Sequence, residues 1–461
     1  MALIKSISGI RGTIGGSVND NLTPIDAVKF AASYGTWIKR RNTKKDLTIV
    51  IGRDARISGD MISSLVSNTL VGLGIHVKDI GLSTTPTVEV AVPKESADGG
   101  IIITASHNPK QWNALKLLNE KGEFLNAEDG LEILKIADQN DYIFAELDDL
   151  GSYNEENGYI DRHIDEVLKL GLVNVHAIKQ SKFKVVVDAV NSTGGIAIPA
   201  LLKKLGVECT KLYCEPNGKF PHNPEPLKEH LTDISELVIK EKADFGIVVD
   251  PDVDRLAIVC EDGSMFGEEY TLVACADYVL GQSKNKHTVS NLSSSRALCD
   301  ITLKHGGTYS ASAVGEVNVV IEMKRTDAVI GGEGNGGIIY PDSHYGRDSL
   351  VGVALFLSHL ANTKMSCKGL RNSYPNYFMS KSKIELKPEI DVDGLLKKLA
   401  NKYQNEDVNL IDGVKIDFDS EWVHLRKSNT EPIIRIYTES LTQLESDKLA
   451  KKFIKEIEDI I

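Results

Sequence analysis

The stretch LTIVIGRDARISGDMISSLVSNTLVGLGIHVKDIG, residues 47–81, indicates the fold of the chain around it. An apolar, β-branched run ends in a polar turn at Asp54. A helix-like stretch follows, and a turn marked by Gly74 leads into a second apolar run. This order of strand, helix and strand predicts a βαβ unit.

Two further segments, 183–213 and 287–315, repeat the pattern, the second more faintly. The polar turn and the glycine are 20 residues apart in the first unit and 18 apart in the second, so the units look equivalent. Runs such as VVVDAV lack polar alternation, as expected where helices cover both faces of a sheet. The sequence therefore predicts an α/β protein with three related α/β domains and mixed sheets.

The pattern changes near residue 369. A Lys/Glu-rich helix-like segment, alternating strands and a terminal helix follow, which predicts a smaller C-terminal α+β domain. Acidic or polar joints are expected at 138–158 and 361–380. The predicted domains cover residues 1–150, 151–256, 257–368 and 369–461.

Composition and charge limit the classes of partner. The 461 residues carry a formal net charge of −12, which disfavours a nucleic-acid or anionic-membrane partner because phosphate backbones require concentrated Lys and Arg. The six cysteines show no zinc-binding spacing. No signal-peptide or membrane-spanning run is visible, so we expect a cytoplasmic protein. Because the charge disfavours nucleic acid and membranes, we expect its partner to be a small molecule.

Alternate carboxylates follow the apolar run DFGIVV, at Asp250, Asp252 and Asp254. Side chains at alternate positions of an extended segment point to one side, so three carboxylates can converge on one hard cation. An EF-hand is excluded because Arg255 occupies the position of its required glycine. A solvated acidic turn is the alternative, but the crowded charges favour a magnesium site.

The glycine-rich stretch 331–337 contains a formal Gly-x-Gly-x-x-Gly pattern, but it leads into an apolar run rather than opening a helix. A dinucleotide site is therefore not indicated. The glycines permit close approach of a ligand, and Glu333 with Asn335 offers acceptors and donors to sugar hydroxyls. A tight turn without a ligand is the alternative.

A third polar cluster lies near the C-terminus. It combines guanidinium groups, hydroxyls and turn amides, which suit a phosphate: Arg426, Ser428, Asn429, Thr430 and Arg435. A charged hairpin turn would have the same composition.

Ser106 lies in ITASHNPK, residues 103–110, without a Gly-x-Ser-x-Gly elbow, so serine-hydrolase chemistry is not supported. Such a turn is usually structural. Beside a magnesium-type cluster, a hydroxyl-reading loop and a phosphate pocket, however, the hydroxyl becomes a candidate carrier of a phosphoryl group.

These four motifs, in this order, resemble those of the α-D-phosphohexomutases. The resemblance implies four domains around a central cleft, with Ser106 as phosphoserine. It implies further site residues: His107, Lys116 and Arg11 beside the serine; Asp250, Asp252 and Asp254 with the Ser106 group as metal ligands; Arg255, Glu333 and Asn335 on the substrate; and the Arg426–Arg435 set on phosphate. His107 and Lys116 are both open as the general acid/base.

The resemblance also implies the reaction. Phosphate would move reversibly between O6 and O1 of a hexose, with Mg²⁺ and a hexose 1,6-bisphosphate activator, in a monomer or homodimer. A phosphoserine adds roughly −1.5 to −2 charge beside three carboxylates, so a divalent ion and cations such as Lys116 and Arg255 are required. A magnesium phosphatase using Asp250 as nucleophile and a catalytically silent sugar-phosphate sensor are the competing hypotheses.

Two departures from the glucose/mannose members concern the substrate. Their sugar loop reads Gly-Glu-Met-Ser-Gly-His, whereas here Asn335 replaces the serine and Gly337 the histidine. Ala114 also follows Asn113 where glycine is common. The Gly-Glu-Gly-Asn-Gly-Gly loop and the stretch 314–317 look more like phosphoglucosamine mutases, so glucosamine phosphate is expected, with glucose and mannose phosphates as the alternative.

Overall fold

The computed structural model describes residues 3–6, 9–387, 390–428 and 433–460. The chain forms two compact units. The first contains the residues up to Thr271 together with Asn335–Lys368, and the second contains Leu272–Gly334 together with the residues from Gly369 onward.

The first unit opens with a seven-stranded mixed sheet of order β1-β2-β6-β5-β3-β4-β7. The pairs β5–β3, β3–β4 and β4–β7 are parallel. The pairs β1–β2, β2–β6 and β6–β5 are antiparallel. The strands are β1 (Ile4–Ser6), β2 (Gly9–Thr13), β3 (Thr48–Arg53), β4 (His76–Leu82), β5 (Gly99–Ile103), β6 (Trp112–Leu118) and β7 (Tyr153–Glu155).

Helices cover both faces of this sheet, which explains why β3 lacks polar alternation. Ile49 and Ile51 pack into the core beneath α1 (Pro24–Arg41), α2 (Gly59–Gly72) and α4 (Ala127–Gln139). Val50 packs into the opposite core with Val88 and Val92 of α3 (Thr85–Lys94).

A second mixed sheet of the first unit has the order β11-β10-β8-β9. Strands β9, β8 and β10 are parallel, and β11 is antiparallel to β10. Its strands and the other elements of this unit are β8 (Lys184–Asp188), β9 (Glu208–Leu212), β10 (Phe245–Val249), β11 (Leu256–Cys260), β15 (Gly337–Ile339), α5 (Tyr159–Val167), α6 (Val175–Ser181), α7 (Gly194–Leu205), α8 (Thr232–Glu241) and α12 (Ser349–Thr363), with 3₁₀ helices at Leu147–Asp149 and Lys228–His230. Helix α13 (Cys367–Asn372) begins in the last two residues of the first unit and continues into the second unit.

The second unit contains parallel strands in the order β13-β12-β14 and a five-stranded antiparallel sheet in the order β16-β20-β19-β18-β17. The parallel part comprises β12 (His287–Asn291), β13 (Thr308–Ser312), β14 (Ile330–Glu333), α10 (Ala297–Lys304) and α11 (Glu316–Thr326). Helix α9 (Glu268–Gln282) precedes it and begins within the first unit. The antiparallel part comprises β16 (Phe378–Glu385), β17 (Asp407–Asn409), β18 (Val414–Asp417), β19 (Trp422–Lys427), β20 (Ile433–Ser440), α14 (Val392–Lys402) and α15 (Gln443–Ile460).

The predicted fold class is confirmed. Each predicted βαβ segment forms a strand, a helix and a parallel strand: β3-α2-β4, β8-α7-β9 and β12-α10-β13. The C-terminal part is α+β with an antiparallel sheet, as expected. The four domain boundaries and the central cleft stay predictions. Among the helices of the described residues, none is both long and apolar enough to cross a membrane.

Candidate active site

Ser106 lies in a tight turn directly after β5. Its φ of 48° places it in the left-handed region, and its backbone N–H donates to Thr104 Oγ1 at 2.9 Å. The N–H of Asn108 donates to the carbonyl of Ala105 at 3.0 Å. The serine is buried, so the turn directs the hydroxyl into the protein rather than into solvent.

Arg56 stabilises this turn by donating hydrogen bonds to main-chain carbonyl groups of the turn. The buried guanidinium donates hydrogen bonds of 2.5–2.9 Å to four carbonyl oxygens: those of Ser106, Asn108, Pro109 and Trp112. Its Nε donates to Asp54 Oδ2 at 3.0 Å, and Asp54 also accepts from Thr104 Oγ1 at 2.7 Å. Burial raises the pKa of Asp54, and the charge of Arg56 opposes that rise.

The three aspartates lie in the connection between the antiparallel strands β10 and β11. Asp250, Asp252 and Asp254 are all completely buried. Asp250 Oδ1 accepts from the backbone N–H groups of Asp254 and Arg255 at 3.2 and 3.1 Å, and Val253 has a φ of 66°. The loop therefore folds back on Asp250 and brings the carboxylates together.

The structure brings Ser106 to this cluster. Ser106 Oγ donates to Asp250 Oδ2 at 2.7 Å, although the two residues are 144 positions apart. The serine turn and the aspartate loop thus form one site in the first unit.

Cations and a hydroxyl surround the aspartates. Lys116 Nζ lies 2.7 Å from Asp252 Oδ2 and 3.3 Å from Asp254 Oδ2. Arg347 Nη2 lies 2.7 Å from Asp254 Oδ2. Thr85 Oγ1 donates to Asp252 Oδ2 at 2.6 Å. Oδ2 of Asp252 and Oδ2 of Asp254 are therefore held by protein groups.

The other carboxylate oxygens fit a cation. Oδ1 of Asp252 and Oδ1 of Asp254 are buried and have no hydrogen-bond partner among the residues that the structure describes. One oxygen from each of the three aspartates lies within 4.8 Å of the others. An all-oxygen set of this kind suits a hard divalent ion, and a buried carboxylate oxygen without a partner is costly.

The electrostatics of the aspartates show the same demand for positive charge. Burial, with the negative charges of Asp252 and Asp254, raises the pKa of Asp250 well above its usual range. Burial alone would also raise the pKa of Asp252, but Lys116 lowers it below its ordinary value. Burial opposes the charged form of Lys116 as well, yet Asp252 and Asp254 raise the pKa of its ammonium.

The remaining residues expected near Ser106 lie in the same unit. His107 Nδ1 is 3.3 Å from Ser106 Oγ, and burial with the charges of Arg255 and Arg11 lowers the pKa of this imidazole to about 2. Arg11 on β2 donates to Asn108 Oδ1 at 2.8 Å. Arg255 pairs with Glu225 at 3.4 Å.

Protein contacts account for two glycines of the glycine-rich loop. Gly336 has a φ of 81°, and a Cβ there would lie 2.2 Å from the carbonyl oxygen of Leu256. A Cβ at Gly337 would lie 2.2 Å from Cδ of Arg347. Asn335 Oδ1 accepts from the N–H of Gly337 at 3.2 Å. Glycine at position 337 therefore leaves room for the Arg347 side chain.

In the second unit, Glu333 ends β14. Its Oε1 accepts from Asn291 Nδ2 at 2.8 Å and from the N–H of Gly315 at 3.1 Å. These bonds fix the orientation of the buried carboxylate.

Arg426 and Arg435 are direct cross-strand partners on β19 and β20. Arg426 Nε pairs with Asp412 at 2.9 Å, and Arg435 is exposed. Ser428 follows β19, and its N–H donates to the carbonyl of Ile433 at 3.0 Å. Asn429 and Thr430 lie outside the described residues. Two guanidinium groups directly opposite each other repel and destabilise the strand pair. An anion bound between Arg426 and Arg435 would offset this repulsion.

Comparison with known proteins decides the family. Models of the three α/β/α domains and the C-terminal domain of phosphoglucomutase/phosphomannomutase match the chain in order, over residues 4–143, 161–263, 267–377 and 384–456. The chain belongs to the phosphoglucomutase/phosphomannomutase family. It is thus a phosphohexomutase-family enzyme, as its motifs indicated.

Relatives within this family carry different substrate names. The phosphoglucomutase/phosphomannomutase of Thermococcus kodakarensis is 33% identical, with 98% of each chain covered. The phosphoglucosamine/phosphogalactosamine mutase of Sulfurisphaera tokodaii is 31% identical, with 100% of this chain and 99% of the relative covered. A crystal structure of a family member from Burkholderia thailandensis has a TM-score of 0.85 at 23% identity, covers 99% of this chain and 98% of its own, and supports the fold alone.

Four residues that contact the Ser106 turn or the three aspartates were not identified from the sequence: Asp54, Arg56, Thr85 and Arg347. A signal existed for the first two. They follow β3, which is the parallel neighbour of β5, and the carboxyl ends of adjacent parallel strands meet at one edge of a sheet. No sequence signal placed Thr85 or Arg347 beside aspartates 167 and 93 positions away.

Proposed function

We propose that this enzyme moves a phosphoryl group between O6 and O1 of a hexose, with Ser106 as the intermediate carrier. The single observation that carries the proposal is the 2.7 Å contact between Ser106 Oγ and Asp250 Oδ2. Beside it lie two buried carboxylate oxygens, Oδ1 of Asp252 and Oδ1 of Asp254, that have no partner in the described part of the chain. A hydroxyl in that position can be esterified next to a site that demands positive charge.

We further propose Mg²⁺ as the resident ion. Asp250, Asp252 and Asp254 would hold it, together with an oxygen of the phosphoryl group on Ser106. When bound, the ion would supply neutralisation of the negative charge on the transferring phosphoryl oxygens. Lys116 and Arg347 hold the carboxylates from the other side, which keeps their free oxygens directed at the ion position.

The proposed reaction consists of two transfers. In the first, the P–Oγ bond of phosphoserine 106 breaks, a P–O bond to the free sugar hydroxyl forms, and the hydroxyl proton is returned to Ser106 Oγ. The product is a hexose 1,6-bisphosphate, which also activates unphosphorylated enzyme. After the sugar reverses its orientation, the other phosphoryl group returns to Ser106 and the isomeric monophosphate is released.

The chain offers two groups for the proton transfer, and geometry favours His107. Its Nδ1 lies 3.3 Å from Ser106 Oγ, whereas Nζ of Lys116 contacts Asp252 and Asp254. We propose that His107 exchanges the proton once the negative charge of the phosphoryl group on Ser106 raises the pKa of its imidazole, and that Lys116 contributes positive charge.

Substrate binding is proposed for further residues. Arg426, Ser428 and Arg435, with Asn429 and Thr430, would bind phosphate, because two opposed guanidinium groups match its charge and geometry. Glu333 and Asn335 would contact sugar hydroxyls, and Arg11 and Arg255 would contact the substrate beside Ser106.

For the sugar, we propose glucosamine phosphate. The support is the Gly-Glu-Gly-Asn-Gly-Gly loop at 332–337 and the stretch 314–317, which resemble those of phosphoglucosamine mutases. Glucose or mannose phosphate is the second candidate, because one relative carries that name. The cytoplasmic location and the monomeric or homodimeric state stay predictions.

Turnover of glucosamine, glucose and mannose 6-phosphates should be compared with Mg²⁺ and a bisphosphate primer. The proposal expects the highest kcat/KM for glucosamine 6-phosphate and no stoichiometric release of inorganic phosphate. Release of phosphate by a Ser106→Ala enzyme would indicate the phosphatase alternative, and ligand binding without turnover would indicate the sensor.

A further inference from the structure

A second cluster of metal-ligating side chains lies in the first unit and shares no residue with the aspartate cluster. It consists of His163 on α5, His344, and Asp348 at the start of α12. Asp348 Oδ2 is 3.0 Å from His163 Nε2 and 3.2 Å from His344 Nε2, and the three ligand atoms lie within 4.8 Å of one another. The side chains of His163 and Asp348 are 1% exposed and that of His344 is 13% exposed.

The other polar atom of each residue faces an outer partner. His163 Nδ1 is 3.0 Å from Thr87 Oγ1, and His344 Nδ1 is 3.3 Å from Glu89 Oε2. Asp348 Oδ1 accepts from the first N–H groups of α12, at 2.8 and 3.3 Å. Metal-ligating histidines typically donate their second N–H to a carboxylate or another oxygen, which fixes the tautomer and the ring orientation.

We propose that His163, His344 and Asp348 bind a transition-metal ion of the zinc class. Two imidazole nitrogens and one carboxylate oxygen suit such an ion, whereas Mg²⁺ prefers oxygen ligands throughout. Thr87 contacts the His163 imidazole from behind, and the Glu89 carboxylate lies 3.3 Å behind the His344 imidazole. Three protein ligands leave one tetrahedral position for water.

The site would stabilise the segments that hold the aspartates. Thr85, at the start of α3, donates to Asp252, and Thr87 one half-turn later contacts His163. Arg347, which pairs with Asp254, directly precedes Asp348. An ion held by His163, His344 and Asp348 would therefore restrain the start of α3, through Thr87, and Arg347, through the neighbouring Asp348. It would do so without contacting the substrate.

The test is a titration of the metal-stripped full chain with Co²⁺, and then with Zn²⁺, in a large excess of Mg²⁺. The excess Mg²⁺ competes for the oxygen site, and the intense absorption expected of a four-coordinate Co²⁺ with nitrogen ligands distinguishes the proposed site from it. We expect one equivalent of Co²⁺ with intense visible d–d absorption, competed by Zn²⁺, and a rise in Tm with Zn²⁺. His344→Asn should abolish both signals, whereas the exposed His176→Asn control should retain them.

The wild-type titration decides the proposal even when the His344→Asn chain does not fold. A wild-type chain that binds no Co²⁺ or Zn²⁺ under these conditions would overturn it and leave a proton-only network of imidazoles and carboxylates. Equal binding by folded His344→Asn and wild type would overturn it as well, and His163→Asn provides a second variant for that comparison.

Discussion

A Cβ atom at Gly337 would lie 2.2 Å from Cδ of Arg347, so the arginine side chain occupies the space that any larger residue at 337 would need. The same arginine contacts Asp254 at 2.7 Å. The size of the residue at position 337 therefore affects the position of Arg347 and, through it, of Asp254 in the aspartate cluster.

Gly337→Ala should displace Arg347 and weaken the orientation of Asp254. We expect a loss of at least about tenfold in kcat/KM, equivalent to ~1.4 kcal/mol of transition-state stabilisation, with a higher Mg²⁺ requirement. Steady-state kinetics over a range of Mg²⁺ concentrations measures both. Gly171→Ala is the matched control, because a Cβ there would meet no atom of the described residues within 4 Å. Equal kinetics for the two variants would contradict this role of Gly337.

Arg56→Lys should disorganise the Ser106 turn. A lysine keeps the charge but cannot donate in several fixed directions to four carbonyl oxygens and Asp54. Disruption of such a buried charged network costs about 3–5 kcal/mol, so a lower urea midpoint and a strongly reduced kcat are expected. The exposed Arg40→Lys should leave both unchanged. Wild-type activity in Arg56→Lys would show that the turn does not depend on the guanidinium.

Lys116→Met should make the stability of the protein more dependent on a divalent ion. Lys116 is buried and contacts both Asp252 and Asp254, so its removal leaves their charges without this partner. We expect a lower Tm in chelator than wild type and a larger rise in Tm on addition of Mg²⁺. Thermal unfolding with and without Mg²⁺ measures this, with Lys45→Met, 89% exposed, as control. A Mg²⁺ response no larger than that of wild type would count against the charge balance described here.

His424 in the second unit should make stability depend on pH. Burial lowers the pKa of His424 to about 4, with Nε2 donating to the carbonyl of Asp412 at 2.6 Å. Because the unfolded imidazole binds its proton near pH 6.5, stability is present above that pH and decreases as pH falls towards 4. The loss is on the order of 3 kcal/mol.

The measurement is urea unfolding between pH 4 and 7, followed in a variant whose only tryptophan is Trp422 in the same sheet. His424→Gln should reduce the pH slope, and the exposed His176→Gln should retain it. If the difference between wild type and His424→Gln is constant across this range, His424 is not the titrating group.

Local patterns were enough to predict the architecture. The segments 47–81, 183–213 and 287–315 each carry apolar runs and a glycine-marked turn, and each forms parallel strands around a helix. Helices on both faces explain the missing alternation, as Ile49 and Val50 pack into opposite cores.

The candidate site was only partly predictable, for a physical reason. Asp250, Asp252 and Asp254 are recognisable because their ligand spacing is local. Arg56 and Arg347 act through partners 50 and 93 positions away, so their role depends on tertiary packing that no local pattern encodes.

The most direct test of the account is the fate of a phosphoryl group on Ser106. Enzyme phosphorylated at this position should lose the group to added hexose 6-phosphate in the presence of Mg²⁺ and regain it within a turnover, as followed by intact-protein mass spectrometry. Ser106→Ala should neither carry the group nor interconvert the two monophosphates. Turnover by Ser106→Ala at the wild-type rate would contradict the account.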